Sequence, residues 1–173
     1  MTRLAIAVAA LAVAVPGIAV AADPLAPPVN ATTVNWQRVY VGIGTKAATL
    51  SDGGPQELHG VVNLTIGANA VLGEKFVVGV EATAGAYIIS TGLNGFNAEI
   101  EGRAGVLVDP SVLVYGTVGG VFYDAGARYG TVGFGAEFAV TDKLSIDFDY
   151  QYYAISNNGF TGHGIGVSAN WAL

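Results

Sequence analysis

Ser145-Ile146-Asp147-Phe148-Asp149-Tyr150-Gln151-Tyr152-Tyr153 decides how this chain is read. Ile146, Phe148, Tyr150 and Tyr152 alternate with Ser145, Asp147, Asp149 and Gln151. A period of two puts the first set on one face of a β-strand and the second on the other. The polar face carries two carboxylates and an amide. The apolar face is continuous and contains no charge.

The same alternation recurs upstream and downstream. Residues 60–69 set Val62, Leu64, Ile66 and Ala68 against Asn63, Thr65, Gly67 and Asn69. Residues 76–88 set Phe76, Val78, Val80, Ala82 and Ala84 against Gly79, Glu81, Thr83 and Gly85. In residues 96–108, Phe96, Ala98, Ile100, Ala104 and Val106 oppose Asn97, Glu99, Glu101, Arg103 and Gly105. Around residue 135, Val132, Phe134, Ala136 and Phe138 oppose Thr131, Gly133, Gly135 and Glu137. The last segment sets Ile165, Val167, Ala169 and Trp171 against Gly164, Gly166, Ser168 and Asn170. A first segment, residues 36–47, places Val39, Val41 and Ile43 opposite Arg38, Gly42 and Gly44. Residues 112–123 are apolar on both faces, so periodicity leaves their orientation open.

The connectors alternate in kind. Short turns at residues 72–75, 109–111 and 141–143 are separated by loops at 50–57, 90–95, 124–128 and 156–160, rich in Gly, Asn, Ser and Asp. Three turns and four loops connect eight strands and leave both ends of the domain on the turn side.

Composition says what covers the apolar faces. Hydrophobic residues make up 52% of the 173 and charged residues 12%, about half the ~25% of a soluble domain. Past the N-terminus no run of ~18 apolar residues supplies a spanning helix. A membrane-like composition without such helices is accommodated by a closed sheet, whose backbone groups pair between strands. A secreted β-sandwich would turn the polar faces to water. Here those faces are mostly Gly, Thr, Ser and Asn, with little Lys, which suits the crowded inside of a narrow barrel better than a soluble surface. The expected fold is all-β: an eight-stranded antiparallel up-and-down transmembrane β-barrel over residues 36–173.

Residues 1–22 read as a secretory signal peptide. Arg3 gives the positive start, residues 4–15 the apolar stretch, and Pro16-Gly17 the break. Small residues allow cleavage after Ala21 or Ala22, which places the barrel in the outer membrane of a Gram-negative bacterium. Residues 23–35, rich in Pro and small polar side chains, read as a periplasmic leader. Loss of Arg3 with the signal leaves six basic residues against thirteen acidic ones. That balance, without a basic stripe, argues against nucleic acid.

Charges within the segments fall on the inward face: Arg38, Glu81, Glu99, Glu101, Arg103, Glu137, Asp147 and Asp149. A lipid-facing Arg or Lys at mid-depth costs about 2–4 kcal/mol, so the lumen is where such groups belong. With six acids and two bases, a filled, acidic lumen held by ion pairs is expected, and a narrow cation-preferring path is the alternative.

Other chemistry is poorly supported. Glu99 and Glu101 share a face, as a carboxylate pair would, but without a substrate cleft. Asp147 and Asp149 need no metal. His59 and His163 lack zinc spacing, and the Gly-rich runs at 130–135 and 162–166 precede no helix that a dinucleotide site requires. Ser168 and His163 are candidates for a barrel-lipase pair in name only. No enzyme, metal or cofactor is expected. His59, placed in the first loop, is the one candidate ligand for surface haem. The tyrosines at 40, 87, 115, 123, 129, 150, 152 and 153, with Trp171, lie mostly near segment ends and suggest interfacial girdles.

Two blocks carry a family resemblance. Trp36-Gln37-Arg38-Val39-Tyr40-Val41-Gly42, after a Pro-rich leader, resembles the W-x-G-F-Y-V-G first strand of small porin-like outer-membrane β-barrel proteins, with Arg38 in place of the usual Gly. Tyr129-Gly130, Gly133 to Glu137, Thr141 to Ser145 and Asp149 to Tyr152 resemble the GxGxEYxLTDxLSLxxEYRY block of that family. The nearest members would be opacity-protein-like and α-proteobacterial surface barrels. The resemblance implies envelope stabilisation, surface interaction or adhesion, haem binding or narrow pores. It implies contact with outer-membrane lipid and lipopolysaccharide. During biogenesis it implies the barrel-assembly machinery and periplasmic chaperones. Trp171 stands third from the end, where the family usually finishes on an aromatic.

Overall fold

A computed structural model describes residues 34–51, 57–89, 92–156 and 159–173. The residues read as a signal peptide, and those read as a leader up to residue 33, lie outside them. Eight strands form in chain order: β1 Val39–Ser51, β2 Glu57–Leu72, β3 Phe76–Ile89, β4 Gly92–Asp109, β5 Val112–Tyr123, β6 Arg128–Ala139, β7 Leu144–Ser156 and β8 Thr161–Ala172. Each pairs antiparallel with the next, and β1 closes on β8 from Tyr40↔Ala172 to Ser51↔Thr161. Closure removes the open edges that a membrane would not tolerate.

The period-two pattern sorts the side chains as the alternation requires. Leu64, Ile100, Phe134 and Ile165 are each more than 60% exposed on the outside, while Arg103, Glu137 and Gln151 are buried within. The orientation of β5 is now fixed. Leu113, Tyr115, Val121 and Tyr123 point inward and Val114, Val118 and Phe122 outward. Packing against the rest of the lumen decides this, and no local pattern could have.

Most strands run further than alternation alone defines. β2 starts three residues earlier than expected and ends three later, and β4 begins at Gly92 rather than 96. Ladder pairing carries polar and Gly-rich residues into strands. A bulge between Tyr87 and Ile88 absorbs the irregularity where β3 meets the start of β4. The first strand shifts instead, running on to Ser51 beyond the expected residue 47. It starts at Val39, and Trp36 stays outside it.

The turns sit where turn chemistry put them. Gly73, between β2 and β3, has φ +66°, a left-handed conformation that glycine adopts without strain. Asp109 accepts from the Ser111 backbone N–H (2.9 Å) and hydroxyl (2.6 Å), closing the β4–β5 turn. At the opposite end Asp124 accepts from the Phe96 N–H (2.9 Å) and ties the β5–β6 loop to β4.

The tyrosine girdles are corrected. Tyr40, Tyr87, Tyr115, Tyr123, Tyr129 and Tyr153 are buried inside the barrel. Tyr150, Tyr152 and Trp171 have the outward parity, and the exposed aromatics are largely phenylalanines: Phe76, Phe96, Phe122, Phe134, Phe138 and Phe148. A phenol needs a hydrogen-bond partner, which the polar lumen offers and hydrocarbon does not.

Inward tyrosines need space, and glycines paired with them on the neighbouring strands provide it. A Cβ on Gly67 would fall within the Tyr40 ring, whereas one on Gly60, outward on the same strand, would meet nothing nearer than 4.0 Å. Gly67→Ala is therefore expected to destabilise the barrel by about 1–3 kcal/mol through overpacking. Gly60→Ala should be near neutral. Urea titration of the refolded protein checks the pair, and equal midpoints for both variants would contradict this packing.

Candidate functional site

The inward positions of all eight strands converge on one axis, so the candidate site is the lumen. It is layered from one mouth to the other. Each layer follows from which inward residues share a height.

The mouth on the turn side holds an apolar layer of Val34, Trp36, Val77, Leu113 and Tyr115. Above it lies a dense ion-pair layer centred on Glu137, whose side chain is fully buried. Glu137 Oε1 accepts from Arg38 Nη2 at 2.5 Å and Ser145 Oγ at 2.5 Å, and its Oε2 from Arg103 Nη2 at 2.8 Å. Asn170 Nδ2 adds a longer contact of 3.3 Å. Arg103 also reaches Glu81 at 3.4 Å and Asp147 at 3.8 Å, and donates to Asn69 Oδ1 at 3.0 Å. The Tyr40 hydroxyl donates to Glu81, and that of Tyr115 to Asp147 at 2.7 Å.

Aromatic rings and guanidinium groups alternate through this layer. Trp36, Arg38, Tyr40, Arg103 and Tyr115 follow one another with guanidinium-to-ring distances of 5.2, 5.3, 5.2 and 5.0 Å. Arg38 Nε and Nη1 are buried without a hydrogen-bond partner in the structure. The Trp36 and Tyr40 rings beside them supply cation–π attraction in place of hydrogen bonds.

A second polar layer is organised by Lys46 and Gln151. Lys46 Nζ lies 3.3 Å from Glu99 and 3.6 Å from Asp149, and donates to Gln151 Oε1 at 3.0 Å. Gln151 Nε2 donates to Glu101 at 2.7 Å and to Glu99. Glu99 and Glu101 thus share one amide donor rather than face a cleft. Between the two polar layers is a cavity of about 40 Å³, lined among others by Lys46, Glu81, Thr83, Glu99, Glu101 and Asp147. That exceeds the ~10–15 Å³ that a single water needs, and the lining supplies polar partners for it.

The loop-side mouth is closed by Ala48, Leu50, Val61, Tyr87, Val121, Tyr123, Tyr129 and Tyr153. The Tyr87–Tyr123, Tyr123–Tyr129 and Tyr129–Tyr153 rings meet edge to face at 5.0, 5.6 and 5.9 Å. His59 belongs here. It is not in a loop and not exposed: it sits inside β2, 9% accessible, stacked on Tyr87 at 5.9 Å. The strand extends three residues beyond the expected start, and His59 has the inward parity.

All eight lumen charges expected from the sequence have inward positions, joined into the two layers just described. Lys46 was missed. Its parity matches Arg38, Gly42 and Gly44 on β1, so the alternation itself contained it. Proximity of the tyrosines to segment ends does not distinguish the interface from the lumen, so their inward placement is not legible from it. Ser168 and His163 do not converge. Ser168 faces the lumen beside Asn170, while His163 faces outward, its Nδ1 2.5 Å from the Tyr150 hydroxyl. Asp147 and Asp149 are held by Tyr115, Arg103 and Lys46. Among the described residues no group of three or more His, Asp or Glu is arranged to hold a metal ion.

The model of the outer membrane protein β-barrel domain family matches residues 5–172. No curated protein sequence matches the chain. Among solved structures the chain is similar to Ail, the attachment invasion locus protein of Yersinia pestis. The identity is 14% and the TM-score 0.55, over 79% of this chain and 99% of that one. Ail in complex with the heparin analogue sucrose octasulfate gives 15% and 0.54, over 79% and 98%. Neisserial surface protein A gives 14% and 0.49, over 78% and 97%. At these identities the likeness concerns the fold.

Proposed function

Because the chain belongs to the outer membrane protein β-barrel family, we propose that it is a structural and surface barrel of the Gram-negative outer membrane whose lumen carries no ion current. The observation behind this is the sequence of blocks along the axis. An apolar layer at each mouth encloses two polar layers in which buried cations and carboxylates pair directly. An ion crossing it would have to displace both Trp36 and the tyrosine layer, and break contacts such as Arg38–Glu137 at 2.5 Å. Rigid closure serves envelope integrity and presents four loops to the outside. No catalytic step is assigned to the chain.

The competing reading is a narrow cation-preferring path. In its favour, six described inward carboxylates face three cations, Arg38, Lys46 and Arg103. Excess lumen acid attracts cations where a continuous passage exists. Haem capture at an exposed His59 is not supported, since that ring packs on Tyr87 and Tyr123. By family analogy, outer-membrane lipid and lipopolysaccharide are the surrounding partners. The barrel-assembly machinery and periplasmic chaperones deliver the chain after the signal is removed at Ala21 or Ala22.

The refolded mature protein, its fold confirmed by heat-shifted gel mobility, is expected to stay electrically silent in planar bilayers. Reproducible cation-selective steps that shrink in Glu99→Gln would replace this reading with the pore.

A further inference from the structure

Residues 34–37 precede the ladder, yet two of them are among the more buried residues of the protein. Val34 and Trp36 are each 4% exposed. A local turn sets their direction: Asn35 Oδ1 accepts from the Gln37 N–H at 3.0 Å, an Asx-type turn that reverses the chain in two residues. Trp36 then lies across the mouth on the turn side. Its Nε1–H donates to the Pro110 carbonyl, in the β4–β5 turn, at 2.9 Å. Its ring and Val34 cover Val77 of β3 and Leu113 and Tyr115 of β5. The Trp36 ring also lies on the Arg38 guanidinium, which is bound to Glu137.

These contacts hold residues 34–37 by side chains, whereas Arg38, whose carbonyl accepts from the Asn69 N–H at 2.8 Å, already belongs to the barrel wall. Loss of a single indole would free the segment without breaking the wall. Beneath it lie a charged floor and the small polar cavity. The opposite mouth is packed by the tyrosine layer, a cluster separate from that of Trp36.

We propose that residues 34–37 form a cork, latched by Trp36 to the Pro110 carbonyl and the Arg38 guanidinium, that seals the periplasmic mouth. Its withdrawal converts the closed barrel into a blind pocket facing the periplasm, floored by Tyr115, Arg103 and Glu137. The corked and uncorked forms both block current, so the cork stands or falls separately from the closed-barrel reading.

The chain contains no cysteine, so Val77→Cys places a single thiol directly beneath the cork. In the full mature protein, folded in detergent micelles, a charged methanethiosulfonate should label this thiol slowly. In Val77→Cys/Trp36→Ala the labelling rate should rise at least tenfold, with bilayer recordings still silent. Equal rates in the two variants would overturn the cork while leaving the closed barrel intact. If the double variant does not fold, Trp171→Phe leaves Trp36 as the sole tryptophan of two. Its fluorescence should then be quenched by acrylamide several-fold less than in the urea-unfolded chain. Quenching as strong as in the unfolded chain would overturn the proposal.

Discussion

Glu137→Gln is expected to lower the unfolding free energy of the refolded barrel by about 3–5 kcal/mol, the cost of breaking a buried ion pair from one side. Glu137 is fully buried and accepts from Arg38, Arg103, Ser145 and Asn170. Glutamine keeps the shape, but it removes the charge and turns one acceptor into a donor aimed at other donors. Arg103 retains Glu81 at 3.4 Å and Asp147 at 3.8 Å. Arg38 has Glu137 as its described carboxylate partner, with Trp36 and Tyr40 as its cushions. The loss should therefore fall mostly on the Arg38 pair. In a double-mutant cycle, Arg38→Met combined with Glu137→Gln should cost clearly less than the sum of the single variants. Urea titration in micelles at neutral pH measures both. A change below about 1 kcal/mol would place these groups in a hydrated lumen, where ion pairs are worth little.

A charge on the outer wall should be nearly as damaging, but only at mid-depth. Val118 is 68% exposed in the middle of β5, opposite Gly102 and Val132 on its neighbours. Val118→Arg is expected to cost about 2–4 kcal/mol in lipid, because the guanidinium must be drawn into hydrocarbon. Leu93 is equally exposed, at 69%, but stands next to the loop-side end of β4. Leu93→Arg should cost about 0–1 kcal/mol, since its charge reaches the interface. Folding titrations into phospholipid vesicles would read this gradient. Equal small effects at both positions would mean that water rather than lipid covers the wall.

The two experiments probe opposite faces of one sheet. A barrel in lipid inverts the usual arrangement, with apolar side chains outside and the polar network within. The stabilising contacts of the interior are therefore largely ionic and geometric. That explains the reliance on glycine: Gly67 and Gly135 leave room for the Tyr40 and Tyr115 side chains, which carry hydroxyls to Glu81 and Asp147.

Alternation identified the strands because side-chain direction in a β-strand is fixed by parity alone. For Ser145 to Tyr153, parity also separated Asp147 and Asp149 from the lipid-facing Phe148. Where parity failed, both faces had the same chemistry, as in residues 112–123, or a functional group lay beyond the alternating stretch, as with His59. Lys46 had the right parity and was overlooked. The tyrosines were misplaced for a different reason. Nearness to a strand end is compatible with either face, and only the hydrogen-bond needs of the phenol distinguish them.

By itself, then, the sequence determined the eight-strand alternation, the turn positions and the side of the sheet on which the charges fall, because these follow from neighbouring residues and the two-residue period. Only the tertiary structure decided which charges meet. Arg38 and Glu137 are 99 residues apart in the chain, and Lys46 and Gln151 are 105 apart. Their contacts depend on the register with which β1 closes on β8. It likewise decided that Trp36 ends at the mouth rather than in the first strand, because its position is set by the Pro110 carbonyl and by Val77 and Leu113, which no local pattern encodes.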